Sequence, residues 1–201
     1  NGTGEIAPML RLFMSTDDEW IMWSENSFYD ASMNGDKHLG YHVNRGEFEE
    51  AEFFPCDRFI KTHYRPDLIP LILETGNEES ALQAAGRDTG PAAESILPPK
   101  IKLISPPSQS IPDDDEVTIE FEIVKGSDPV PRIWILRNEQ FVWESKIGEK
   151  DAGNELPRTI KTDLELDPGK NTFRLFAESE LSKSNPVDVV VEADTQLWNC
   201  L

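Results

Sequence analysis

The chain has 201 residues, 38% of them hydrophobic with five tryptophans among them, enough for one large or two small folded domains. Its formal net charge of −19 is spread over both halves, with 18 acidic and 7 basic groups in residues 1–97 and 20 and 12 in residues 98–201. Such a surface repels phosphate backbones and anionic headgroups, which argues against nucleic-acid and membrane partners; no apolar run approaches the roughly 20 residues of a membrane helix.

No charged-then-apolar leader opens the chain, and no Met begins it, which fits a piece of a longer protein. Leu10, Leu12 and Met14 alternate with Arg11, Phe13 and Ser15, as in a strand. Asp17-Asp18 supplies a turn, Trp20–Ser24 a second strand and Phe28–Ser32 a third. Residues 33–46 hold three glycines among amide and charged residues and read as a structured loop. From Pro55 the period lengthens: Asp57 is placed to cap a helix through Phe59, Ile60 and His63. Pro66 suits the first turn of another helix, striped by Leu68, Ile69, Leu71, Ile72 and Leu73. Gly76-Asn77 closes it, and Glu78–Ala85 forms a third. Residues 1–86 are therefore expected to be an α+β unit, a β-hairpin followed by helices. The hairpin carries apolar side chains on both faces. Either the helices cover one of them, or the strands join a sheet supplied by upstream chain.

Residues 87–99 read as a linker. The run from Gly86 to Ser95 shows no periodic apolar face to anchor a core and leads into Pro98-Pro99. Beyond it, turn signals recur between strand-like runs at Lys100–Ile104, Val117–Val124, Arg132–Arg137, Phe141–Lys146, Arg158–Leu166, Thr172–Glu178 and Val187–Glu192. Val117, Ile119, Phe121 and Ile123 alternate with Thr118, Glu120 and Glu122, the pattern of a sheet with one buried face. Residues 100–193 are thus expected to form an all-β, immunoglobulin-like antiparallel sandwich, without the cysteine pair of antibody domains and with Trp134 or Trp143 in its core. Residues 194–201 form a tail.

The chemistry-bearing residues form no convincing constellation. His38, His42, Cys56 and His63 are the best metal candidates, but Gly40 separates the first two and the Cys56-to-His63 spacing is atypical, so no metal is expected. At a helix start Cys56 has scope for a lowered pKa, yet no catalytic-loop context surrounds it. Asp113-Asp114-Asp115-Glu116 lacks the spacing of a calcium loop and reads as a solvated turn. No nucleophile–base set or phosphate-cradling loop is present, so neither a cofactor nor catalysis is expected. Cys56 and Cys200 lie in different halves, too few for a disulfide framework, and a reducing compartment such as the cytoplasm is the default. Arg45 and Arg65 sit among aromatic and acidic residues and read as staples fixing loop 33–46 on the helices.

The segment WIMWSENSFYDASMNGDKHLGYHVNRGEFEEAEFFPCDRFIKTHYRPD, Trp20 to Asp67, resembles a connector in large bacterial proteins that carry WD40 propeller repeats and often a caspase-like peptidase domain. The resemblance rests on Trp20–Trp23, Phe28–Ser32, Gly40–Gly46 and Tyr64–Asp67. The order of strand-like runs after residue 99 is similar to the immunoglobulin-like module that follows the connector in those proteins. It implies a non-catalytic scaffold that places a sensor, propeller or other repeat, relative to an effector such as a caspase-like peptidase, with domains of the same chain or complex as partners. The structural or interaction candidates are Trp20, Trp23, Tyr29, Tyr41, His42, Arg45, Tyr64 and Arg65. The alternative is an independent binding module, adhesin-type or carbohydrate-binding, that makes contact through exposed aromatics.

Overall fold

The computed structural model describes residues 8–44, 46, 47, 50–86, 90–107, 115–124, 126–146 and 157–193, with Glu94 described by its main chain only. The chain divides into two compact units, Asn1–Leu97 and Pro98–Leu201.

In the first unit β1 (Leu10–Met14), β2 (Trp20–Ser24) and β3 (Tyr29–Ala31) form an antiparallel sheet in that order. A 3-10 turn at Gly35–His38 leads into β4 (Gly40–Val43), which pairs with β5 (Glu52–Pro55). A strand therefore stands inside the stretch expected to be a loop. Its partner lies beyond an acidic run, and the pairing is held by burial of Phe54 and Val43 rather than by local turn chemistry. Cys56–Phe59 forms a 3-10 turn that runs into α1 (Ile60–His63), so Asp57 caps nothing. Helix α2 (Leu68–Thr75) ends on Gly76 at φ +69, and α3 (Glu78–Ala85) starts on Asn77, whose side chain accepts from the Ser80 N–H.

Both faces of β2 are covered from within the chain. Leu10 and Met22 pack on Phe28, Leu68, Ile69, Ile72, Ala81 and Leu82, so the helices cover one face. Ile21 and Tyr29 face the other way and pack with Cys56, Trp23, Leu39 and Tyr41. The edge beyond β3 is closed by the chain at Tyr64–Arg65, where Tyr29 and Tyr64 form a parallel bridge and the Arg65 N–H donates to the Tyr29 carbonyl at 2.8 Å. The stretch read as an unanchored linker is packed where described. Ala93 and Ile96 are buried, and the 3-10 turn Ala93–Ser95 lies on β4. Isolated apolar residues leave no periodic trace in sequence.

The second unit is a two-sheet antiparallel sandwich. Its strands are β6 (Lys100–Ser105), β7 (Glu116–Val124), β8 (Arg132–Arg137), β9 (Gln140–Lys146), β10 (Arg158–Glu165), β11 (Gly169–Glu178) and β12 (Val187–Ala193). They form one sheet in the order β10-β7-β6 and another in the order β12-β11-β8-β9. A constant-type immunoglobulin domain divides four and three; here the larger sheet takes β9 beside β8. Alternate residues Val117, Ile119, Phe121 and Ile123 meet Ile133, Ile135, Phe173, Leu175, Val189 and Val191 in one core. Trp143 packs against that core, edge-on to Phe121, whereas Trp134 points to the outer face. Buried Asn171 closes the β10–β11 corner: its Oδ1 accepts from the Asp167 N–H and its Nδ2 donates to the Asp167 and Gly169 carbonyls.

Candidate functional site

Tyr29, Tyr41, Cys56, His63 and Arg65, all singled out from the sequence, lie in the first unit around β2, β3, β4 and α1. Tyr29, 1% exposed, donates its hydroxyl to the Cys56 carbonyl at 3.1 Å. Burial, and then the nearby Cys56, push its own ionisation well above the usual phenol range. Tyr41 donates to the Ser27 carbonyl at 3.1 Å and meets Phe59 edge-on, with ring centroids 4.9 Å apart. His63 is buried, stacks on Phe28 at 5.6 Å and lies edge-on to Phe59 at 6.1 Å, with Nδ1 2.8 Å from the Thr62 hydroxyl. Arg65 lies with its guanidinium carbon 5.9 Å from the centre of the Phe28 ring and grips Asp67 at both oxygens, at 2.8 and 3.0 Å. Arg65 fastens the start of α2 to Phe28 rather than loop 33–46 to the helices. One residue separates it from a carboxylate of matching geometry, and that local partner wins.

The remaining candidates are dispersed. Trp23 is half-buried against the Ile21–Tyr29–Cys56 cluster. Tyr64, 38% exposed, lies at the surface with its ring 5.6 Å from Tyr29. His42 stands exposed on β4 beside Phe53. Trp20 is half-buried, and its backbone does the joining: its N–H donates to Ser32 Oγ at 2.8 Å and its carbonyl accepts from the Ser32 N–H at 3.0 Å. Arg45 lies outside the described residues, as do Asp113, Asp114 and Cys200.

Cys56 is fully buried, its N–H donates to the Leu39 carbonyl, and burial pushes its thiol up to about 12 against the opposing hydrogen bond with Tyr41. The scope for lowering at a helix start is not realised, and the thiol stays protonated at neutral pH. His38 and His42 are exposed while Cys56 and His63 are buried, and among the described residues no group of three or more His, Cys, Asp or Glu side chains is placed to hold a metal ion.

Sequence reasoning missed Glu19, which anchors the turn after β3. It takes hydrogen bonds from Ser32 Oγ and from the Asn34 side chain and backbone, and these hold its carboxyl down to about 2. It also missed Glu78, which takes the Asn26 side chain at 2.7 Å and ties the β2–β3 turn to α3. Neither carries a local signal, since each partner lies at least thirteen residues away in sequence.

A second surface lies on the outer face of the four-stranded sheet. Trp134 stacks on Phe176 at 5.1 Å and an interplanar angle of 13°, and the Arg132 guanidinium sits 4.7 Å from the Trp134 ring. Arg132 pairs with Glu144 at 2.7 Å and Glu178 at 3.6 Å; Arg174 pairs with Asp188 and Glu139, and Asp188 pushes the arginine's ionisation upward. Phe141, 55% exposed, extends this face on β9.

No protein-family model matches the chain, and no curated protein matches it. Among solved structures it is similar to the fibronectin(III)-like modules of Clostridium thermocellum CbhA, at 18% identity and a TM-score of 0.38. That similarity covers 51% of this chain and 50% of the other, so the chain spans about half the length of the protein it matches.

Proposed function

We propose that this chain is a non-catalytic scaffold and interaction region of a larger signalling or defence protein. In this reading the first unit is an α+β connector and the second an immunoglobulin-like spacer. Together they hold a sensor, propeller or other repeat, at a fixed relation to an effector such as a caspase-like peptidase. The observation that carries it is the fate of the distinctive residues. Tyr29 and Tyr41 spend their hydroxyls joining one element to another, His63 and Arg65 pack on the Phe28 ring, and Cys56 sits buried nearby with its thiol protonated. Residues kept for chemistry leave a nucleophile or base open to substrate; these are closed on each other.

The test is made in the full-length protein that contains this chain. Trp23→Ala loosens the Ile21–Tyr29–Cys56 cluster and is expected to lower the effector's activity without touching an active site. Cys56→Ala leaves that activity close to unchanged. A dead cysteine variant beside a working tryptophan variant would reject the scaffold reading in favour of thiol chemistry.

The exposed Phe141 and the Trp134–Phe176 pair favour a second reading, a binding module that uses the outer face of the four-stranded sheet. Trp134→Ala with the rest of that face intact would then abolish partner capture while leaving the fold in place.

A further inference from the structure

The two edges of the first sheet are treated differently. The β3 edge is closed by Tyr64–Arg65, whereas among the described residues nothing pairs with the outer edge of β1. An open edge offers a row of backbone donors and acceptors to any strand, and proteins usually blunt it with charge, proline or a bulge. β1 has none of these beyond Arg11, and its pairing with β2 runs without a register shift. Its side chains are instead apolar and outward: Leu12 is 53% and Met14 66% exposed, with Phe13 and the preceding Met9 also exposed.

The hydrogen-bond phase of β1 decides what fits there. The Ser15 N–H donates to the Glu19 carbonyl, which places the backbone groups of the odd-numbered residues Arg11 and Phe13 toward β2. Those of Leu10, Leu12 and Met14 therefore point away from the sheet. An antiparallel copy of β1 laid against this edge with Leu12 opposite Leu12 brings Leu10 opposite Met14 on either side. Every outward N–H and C=O then meets a partner. The same register sets Arg11 beside Phe13 of the other copy, in the close, non-hydrogen-bonded position where a guanidinium reaches a ring. A register centred on Arg11 instead puts like charges together and leaves Met14 unpaired.

We propose that β1 is a homotypic pairing edge, through which two copies of this chain join their three-stranded sheets into one continuous sheet about Leu12. The inference does not rest on the scaffold reading above. Five residues of edge give far less than the roughly 800 Å² per partner of a standard interface. Each copy also carries −19. The association is therefore weak, and it strengthens as salt screens the mutual repulsion.

The test uses the full 201-residue chain in sedimentation equilibrium over about a hundredfold range of concentration, at low and high salt, with amide hydrogen exchange at both ends of the range. Expected is a mean mass that rises above 22.7 kDa with concentration and with salt. The Leu10, Leu12 and Met14 amides should slow only as concentration rises, while Arg11 and Phe13 are slow throughout. Leu12→Lys should weaken association at least about tenfold, and Leu73→Lys, at an exposed site on α2, should leave it unchanged. A mass of 22.7 kDa under all conditions overturns the proposal. So do outward amides already slow at the lowest concentration, which means that the edge is covered within one chain. Association lost in Leu73→Lys but kept in Leu12→Lys also overturns it. Should Leu12→Lys fail to fold, the exchange pattern of the unaltered chain decides alone.

Discussion

The hydroxyl of Tyr29 reaches the Cys56 carbonyl from a ring with almost no solvent exposure, so Tyr29→Phe leaves a buried acceptor short of its donor. That loss should cost the first unit about 1–3 kcal/mol in urea unfolding. Tyr64→Ala removes a surface ring that touches Tyr29 from one side, and about 1 kcal/mol is expected there, the value of an aromatic pair with little burial behind it. Neighbouring tyrosines in a motif look alike in sequence; which of them turns inward depends on the strand that arrives beside them. Glu19 adds a pH dependence. Its folded carboxyl titrates at about 2 against the ordinary 4.5, so the stability it contributes is complete above about 4.5 and is lost as pH falls through about 2. The urea midpoint of the first unit should fall across that window, and Glu19→Gln should flatten the fall. A profile unchanged by the substitution would remove Glu19 from the account.

Among the elements, the turn at Gly35 is built on close approach. A methyl group there would sit 1.8 Å from the Trp20 carbonyl oxygen and 2.9 Å from Ser32 Oγ, and the paired Trp20 backbone does not shift easily. Gly35→Ala should therefore cost about 3 kcal/mol or more, read as a fall in the melting temperature of the first unit. The sandwich strands are legible in the sequence, because a strand with one buried face writes its period of two directly into the chain, as Val117–Val124 does. The hairpin of β4 and β5 is not. Its burial runs half-buried, half-buried, exposed, buried along Gly40–Val43, which is no alternation, and Gly40 lies where any side chain would strike the Phe54 carbonyl. That glycine reads as loop in one dimension and as tight packing in three. The helices at Leu68–Thr75 and Glu78–Ala85 were legible from their stripe and end signals, Gly76 above all.

At the level of the whole molecule, each unit has a core of its own, Phe59 and Phe54 in the first and Phe121 and Phe173 in the second. Phe121→Ala should cost about 3–5 kcal/mol and lower the melting of the sandwich alone, resolved by calorimetry from a first-unit transition that stays in place. A single transition that moves as one would show that the units melt together. The staples around Tyr29, Tyr41 and Arg65 were only half legible. Their residue types and order stood out in the sequence, as did the Asp67 partner of Arg65, but the tyrosines' partners Ser27 and Cys56 belong to the fold. The burial of Cys56 has a practical use as well. In a Cys200→Ser background the chain keeps one sulfhydryl, sealed among β2, β3 and β4, and a maleimide can alkylate it only when that packing opens. The alkylation rate then becomes a clock for transient opening of the first unit, running whether or not the sandwich stays closed.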